Sequence, residues 1–485
     1  MAGPKETHLA GNALQEAMAD LQAGRWSIGA QRLRGVLAAN PRFAEVWSNL
    51  GFALRQMGQL AEAREALQRA VEINPGLADS WNLLGLVAHD QRAFEEALGH
   101  YDRAIALQPD FAYAWMNRAN ARQALGRHEE ALADYARALQ LAPDHARIHY
   151  NLGHLEHKAT GELARAISHY RDAIRIDPGY ATAHHNLSHA LFLRGDFAEA
   201  WRESAWRPSR MQHHEALSKI PRGYVLPTAD RLNGRRIVVI AEQGLGDILF
   251  YLRFAPALRA LGARLDFAGP PRLHAMLGRT GLFEAMAAEP RELATDAFQV
   301  LAGDLPLLLQ PSAGDGVRAP PLPLAPDAAR LEATRDRLRA LGPPPYTTVA
   351  WRSGEPKTGL FETLFKELPF DVVGRTLGGM PGTLLSVQRQ PRDGETQLLA
   401  AHLGRAVHDL SALNADLEDC LALMAAVDGY AGVSSTLVHL RASTGGSGHI
   451  FVPFPWEWRW MAAGSSPWFP RMTVHRQARD GSWPE

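Results

Sequence analysis

Prolines recur through the first part of the chain at positions 41, 75, 109, 143 and 178, at intervals of 34, 34, 34 and 35 residues. A proline disfavours helix in the residue before it, so Asn40, Asn74, Gln108, Ala142 and Asp177 mark helix ends. Behind each proline the same pattern restarts. A period of this length accommodates two antiparallel helices, and one such pair cannot bury its apolar face alone. Successive pairs must stack, which excludes a single globular core for this part and predicts a curved array with a concave face.

The pattern inside each period is specific. Residues 44 to 77 carry Trp47, Leu50, Gly51, Gly58, Ala63, Leu67, Ala70 and Pro75. Residues 78 to 111 carry Trp81, Leu84, Gly85, Ala97, Tyr101, Ala104 and Pro109, and residues 112 to 145 carry Trp115, Ala119, Gly126, Ala131, Tyr135, Ala138 and Pro143. Small residues stand where two helices touch, and large ones fill the space beside them. This resembles the tetratricopeptide repeat. A weaker copy covers roughly 10 to 43, another spans 146 to 180 with one extra residue before Gly161, and a last one decays after Trp201. Six helical pairs are expected over 10–207.

Asn49, Asn117, Asn151 and Asn186 share one slot, two residues after the first aromatic or histidine of a repeat. The second full repeat departs, with Leu83 in the slot and Asn82 beside it. An amide offers both a donor and an acceptor, so a row of them suits an extended peptide of any sequence. The alternative is that these residues cap or solvate the inner helices. The row resembles the asparagine ladder of O-linked N-acetylglucosamine transferase, which implies a polypeptide partner. His149, His154, His157, His184, His185, His189, His213 and His214 also cluster here, but their spacings match no ligand motif, and no metal site is expected.

The balance of 51 basic against 52 acidic side chains gives no sign of an electrostatic footprint for nucleic acid or an anionic membrane. A single cysteine, Cys420, rules out an intrachain disulfide. Without an apolar leader or a run of membrane-spanning length, a soluble, cytoplasmic protein with no membrane insertion is expected.

After a proline- and glycine-broken linker at 208–230, the pattern changes. Ile237-Val-Val-Ile-Ala-Glu-Gln-Gly-Leu-Gly-Asp-Ile-Leu-Phe250 reads as a buried strand, a tight loop and a helix start. Gly244 and Gly246 let a backbone approach a ligand, and Asp247 sits near the positive end of the helix dipole. An ordinary turn with an N-cap aspartate reads equally well. A helix at 248–261, strands at 264–269 and 297–302, and a helix near 272–277 follow, so a parallel sheet is expected. A proline-interrupted hinge with a helix at 327–341 precedes a second lobe. Its strands are expected at 346–354, 383–388, 429–433 and 449–454, with a helix at 417–427. Ser434, Ser435 and Thr436 open a helix at a strand's carboxyl end, as either a phosphate cradle or a simple N-cap.

Two such lobes, at 231–340 and 341–485, resemble the GT-B fold of nucleotide-sugar glycosyltransferases. Gln243-Gly-Leu-Gly-Asp247 is similar to the opening loop of heptosyltransferases, and Val433 to Gly445 resembles their helix carrying a histidine, with His439 in that place. Phe454-Pro-Trp-Glu-Trp-Arg-Trp460 and Ser466-Pro-Trp-Phe-Pro470 are similar to the end of repeat-fused members. Ser434 departs from the aspartate usual there. The fold class is thus an α-solenoid followed by a two-lobed, GT-B-like α/β part.

The resemblance implies that Asp247 is the general base, taking the acceptor hydroxyl's proton as attack proceeds. Donor contacts fall to Gly244, Gly246, Ser434, Ser435, Thr436, His439 and the basic pair Arg352 and Lys357, with Arg389 a weaker candidate. No Asp-x-Asp pair occurs, consistent with metal-independent, inverting transfer and no cofactor beyond the nucleotide-sugar co-substrate. The Trp456 to Trp460 cluster either stacks a base or sugar or packs a core. The implied reaction is O-glycosylation of a polypeptide such as flagellin, with an activated nonulosonic acid among the implied donors. Transfer to a saccharide or lipid-linked acceptor, and a non-catalytic peptide scaffold with a lapsed donor site, are the alternatives.

Overall fold

The computed structural model describes residues 4–212, 232–293, 297–309, 316–354 and 366–483. Most of the expected linker, 213–230, lies outside them, as do Lys357, His213 and His214. The chain divides into two compact units, Met1–Tyr180 and Ala181–Glu485.

The first unit is a helical array of five antiparallel pairs among the described residues. Each full repeat has an inner helix, such as Ala44–Gln56, Ala78–Asp90, Ala112–Ala124 or Ala146–Leu155, followed by an outer one. The aromatic that opens the pattern acts as a clasp. The indole N–H groups of Trp47, Trp81 and Trp115 donate to the carbonyls of Pro41, Pro75 and Pro109 at 2.9, 2.9 and 3.0 Å. His149 takes the same role, with Nε2 at 2.9 Å from the Pro143 carbonyl. Each clasp locks an interhelical corner to the helix that follows it. Tyr101, Tyr135 and Tyr170 are fully buried between the helices. A Cβ on Gly85 would lie 2.4 Å from the Tyr101 ring, so only glycine admits that packing. The extra residue of the fifth repeat is absorbed as a π-helical turn, Glu156–Thr160, closed by Gly161 in the left-handed region at φ 66°.

The sixth helical pair, Ala181–Arg194 and Phe197–Glu203, belongs to the second unit. The repeat period runs through 207, whereas compactness divides the chain at Tyr180. The reason is Trp201, which is fully buried. It donates to the Val317 carbonyl at 3.0 Å and meets the rings of Phe254, Trp458 and Trp468 edge-on.

The rest of this unit holds two parallel sheets. The first contains β1 (Arg236–Ile240), β2 (Arg264–Ala268), β3 (Phe283–Ala287) and β4 (Phe298–Leu301), in the order β3-β2-β1-β4. A two-stranded antiparallel pair, β6 (Arg352–Ser353) and β7 (Lys366–Glu367), accompanies the second. That sheet contains β5 (Tyr346–Ala350), β8 (Thr383–Ser386), β9 (Val407–Asp409), β10 (Gly429–Val433), β11 (Gly448–Val452) and β12 (Met472–Arg476), in the order β12-β11-β10-β5-β8-β9. Every pairing within these two sheets is parallel. β1 and β5 are buried along almost their whole length, as strands covered on both faces must be.

Strands β3, β9 and β12 were not expected from the sequence. Each is short or partly exposed and lies at or towards a sheet edge, so it lacks a continuous apolar run. The helix expected at 248–261 is two helices, Leu245–Leu252 and Ala255–Ala260, restarted at Pro256. Asp327 caps Ala328–Leu341 by accepting from the Arg330 N–H at 3.0 Å. Asp416 likewise caps Leu417–Ala426.

Candidate functional site

In each sheet the strand order reverses beside the first strand. The chain moves from β1 to β2 and β3 on one side and returns to β4 on the other; from β5 it moves to β8 and β9 and returns to β10. Loops leaving such a switch point diverge and open a crevice beyond the carboxyl ends of the strands. A cleft of about 750 Å³ lies there, lined by Gly244 and Arg272 from the first sheet's loops and by Arg352, Arg389, Ser435 and Thr436 from the second's.

Asp247 is not an N-cap. Gly244 occupies the cap of Leu245–Leu252, and Asp247 stands three residues on, where its Oδ2 accepts from the Gly244 N–H at 3.3 Å. Its Oδ1 accepts from Arg459. The carboxylate keeps 29% of its side chain exposed, and two engaged oxygens leave lone pairs free. Gly246 lies against the helix Thr436–Ser443: a Cβ there would be 3.2 Å from the His439 ring and 3.8 Å from the Thr436 backbone. A side chain at 246 would thus crowd a protein neighbour. His439 is buried between the edges of Phe250 and Phe469, and burial, then Arg459 and Arg253, hold it well below the usual imidazole range. It is neutral and packs; it does not line the cleft.

Ser435 is the N-cap of Thr436–Ser443, yet its side chain caps nothing and lies 3.3 Å from the Tyr430 hydroxyl. The first N–H groups of that helix therefore lack the partner that a capping serine supplies. Ser434 is buried and does not line the cleft, and its carbonyl receives the Lys366 ammonium at 3.4 Å.

Arg352 is committed elsewhere. Its guanidinium grips Glu395 with two hydrogen bonds, at 2.5 and 3.0 Å, and reaches Glu367 at 3.4 Å. Glu395 is held below its usual range, its burial outweighed by Arg352 and by the Arg392 N–H. Arg272 and Arg389 are different: both are exposed, line the cleft and make no ion pair among the described residues. The buried Gln388 amide fixes the β5 and β8 loops beneath them. It accepts from the Trp351 and Arg352 N–H groups at 3.1 and 2.8 Å and donates to the Arg352 and Arg389 carbonyls at 3.1 and 2.9 Å.

Sequence reasoning did not single out the chain Lys366–Glu457–Arg459–Asp247. Lys366 bonds the buried Glu457, whose other oxygen accepts from Arg459 at 2.8 Å. Lys366 and Arg459 overcome the cost of burial and hold Glu457 far below the usual carboxylate range. The signal was present in Trp456-Glu-Trp-Arg-Trp460, since charges inside an aromatic run need buried partners. Trp458, Trp460 and Trp468 themselves are buried core.

In the first unit the asparagines engage one another across repeats. Asn117 donates to Asn82 at 2.9 Å, and Asn151 donates to Asn120 at 3.0 Å. Asn82, out of the expected slot, is thus part of the row. Asn117 is buried at 7% exposure, while Asn49 and Asn151 are half-buried; Asn186 lies in the second unit, also half-buried. The donating amides, Asn117 and Asn151, each have a second N–H and a carbonyl oxygen beyond these bonds, whereas the Asn82 and Asn120 oxygens are the acceptors.

With this geometry, the chain divides into a helical repeat protein and a two-sheet α/β unit. The tetratricopeptide-repeat family model matches residues 42–110 and 110–179, so this region is a tetratricopeptide array. Protein FlbA of Caulobacter vibrioides is 28% identical over 302 residues, covering 57% of this chain and 50% of its own length. The chain therefore spans about half the length of that curated relative. A thermophilic tetratricopeptide protein of Thermus thermophilus is similar at 21% identity, covering 38% of this chain and 98% of its own, with a TM-score of 0.34. YrrB, a tetratricopeptide protein with an unusual peptide-binding site, is 19% identical, covering 39% of this chain and 99% of its own, with a TM-score of 0.31. No helix among the described residues is long and apolar enough to cross a membrane.

Proposed function

We propose that the chain is a protein O-glycosyltransferase: the repeat array binds a polypeptide, and the α/β unit, a GT-B-type pair of lobes, transfers a sugar from a nucleotide donor to a serine or threonine. The carrying observation is the cleft at the paired switch points, into which Arg272 and Arg389 project without ion-pair partners among the described residues. Two cations and the start of Thr436–Ser443, which no side chain caps, supply what a departing nucleotide phosphate requires. Asp247 is the base, with Arg459 fixing its orientation. The family resemblance makes flagellin the first acceptor to test and an activated nonulosonic acid the first donor.

The same ion pair favours a second reading. A carboxylate already bonded to a guanidinium and a backbone N–H serves equally to hold the lobes of a non-catalytic peptide scaffold. Thermal shift with CMP, UDP, GDP and ADP separates the two. A nucleotide-specific rise in melting temperature, abolished in Arg272→Ala/Arg389→Ala, supports transfer; no response to any nucleotide supports the scaffold.

A further inference from the structure

We propose that His149, His169 and Asp172 form a binding site for a divalent transition-metal ion of the zinc or nickel type, clasping the last helical pair of the first unit. One ligand atom from each lies within 4.8 Å of the others. The two Nδ1 atoms are 3.4 Å apart, about the edge of a tetrahedron around an ion with bonds near 2.1 Å. His169 and Asp172 are one turn apart on Leu163–Ile176, and Asp172 Oδ2 is 4.0 Å from His149 Nδ1.

The decisive feature is the clasp. The Pro143 carbonyl only accepts, so the His149 nitrogen facing it at 2.9 Å is the one carrying hydrogen, and in the neutral ring Nδ1 turns its lone pair towards His169. Metal-bound histidines are held in this way, with the second ring nitrogen donating to a backbone carbonyl or carboxylate. Trp47, Trp81 and Trp115 make the same clasp, but an indole has no second nitrogen. Of these four clasps, the one at His149 alone also presents a ligand.

His169 is only partly buried, and its other ring nitrogen is turned towards a carboxylate. Its Nε2 lies 3.8 Å from the buried Glu156 carboxylate. Without metal, His169 donates Nδ1–H to His149. With metal, that proton resides on Nε2, facing Glu156, and the proton count is unchanged. His169 and Asp172 are partly exposed, which leaves an entry route and a coordination position for water. The imidazole and carboxylate donors suit zinc or nickel ahead of softer ions.

The test is titration of the untagged full chain with Co²⁺, followed by displacement with Zn²⁺. One equivalent of Co²⁺ should give the visible absorption of a four-coordinate nitrogen–oxygen site, and Zn²⁺ should abolish it and raise the melting temperature. His169→Gln and Asp172→Asn should each weaken binding by at least about tenfold. Failure to take up one equivalent, or unchanged affinity in both variants, overturns the proposal. If His169→Gln does not fold, Asp172→Asn, whose side chain is 36% exposed, decides alone.

Discussion

Arg459 donates to the carboxylate of Asp247, joining the first turn of the helix after β1 to the aromatic segment after β11. Arg459 also bonds Glu457, which Lys366 bonds in turn, so four charges alternate in sign through a largely buried path. Such a chain holds its members only while each has its partner.

Arg459→Gln leaves Asp247 and Glu457 without that cation. A loss of about 3 kcal/mol or more in unfolding free energy is expected, as for other broken buried pairs. Urea denaturation read by tryptophan fluorescence measures it, and a midpoint equal to wild type would mean that the chain carries no stability.

Asp247→Asn keeps the shape and the bond to the Gly244 N–H but removes the proton acceptor. Turnover on the acceptor should fall by roughly two to four powers of ten if Asp247 is the base. Nucleotide affinity should stay within about threefold, because Asp247 is not among the groups assigned to phosphate. The melting temperature should drop, through the lost charge opposite Arg459. Wild-type turnover would remove Asp247 from the mechanism.

Arg272→Ala and Arg389→Ala should each weaken nucleotide binding by about tenfold, the usual worth of a charged hydrogen bond. Arg352→Ala should instead lower stability, since its partner Glu395 is buried. Calorimetric titration of the three variants distinguishes phosphate ligands from structural cations. A larger affinity loss in Arg352→Ala than in the other two would reverse the assignment.

Burial pushes His154 down to about 4. The unfolded chain then binds a proton near pH 6.5 that the folded one refuses, so stability falls as pH drops from 6.5 towards 4. The contribution reaches at most about 3 kcal/mol, at about 1.36 kcal/mol per unit. His154→Gln should flatten the acid limb of the curve of unfolding free energy against pH by that amount. An unchanged limb would place the acid sensitivity elsewhere.

A fragment ending at residue 180 should be more soluble than one ending at 207, although both stop at the end of a repeat. The longer one carries Trp201, Phe192 and Phe197 away from the Trp458 and Trp468 rings that cover them. Sedimentation of both fragments at equal concentration checks this. Aggregation of the shorter alone would contradict it.

The sequence by itself determined what depends on local periodicity. The proline spacing, the clasp aromatics and the glycines opposite Leu67 and Tyr101 define the repeats, because each repeat packs against neighbours close in sequence. The strands β1, β5 and β10, buried along almost their whole length, were legible from local composition too: each is a short run of β-branched, aromatic or small residues. Tertiary structure decided which charges are free. From the sequence Arg352 reads as the stronger phosphate ligand and Arg389 as the weaker, yet Glu395, 43 residues after Arg352, occupies the first and leaves the second to the cleft. The pairing of Asp247 with Arg459, the placing of His169 beside His149, and the assignment of the sixth helical pair to the α/β unit likewise depend on contacts between distant segments. Side-chain pairing across such separations leaves no period to read, so only the folded chain reveals it.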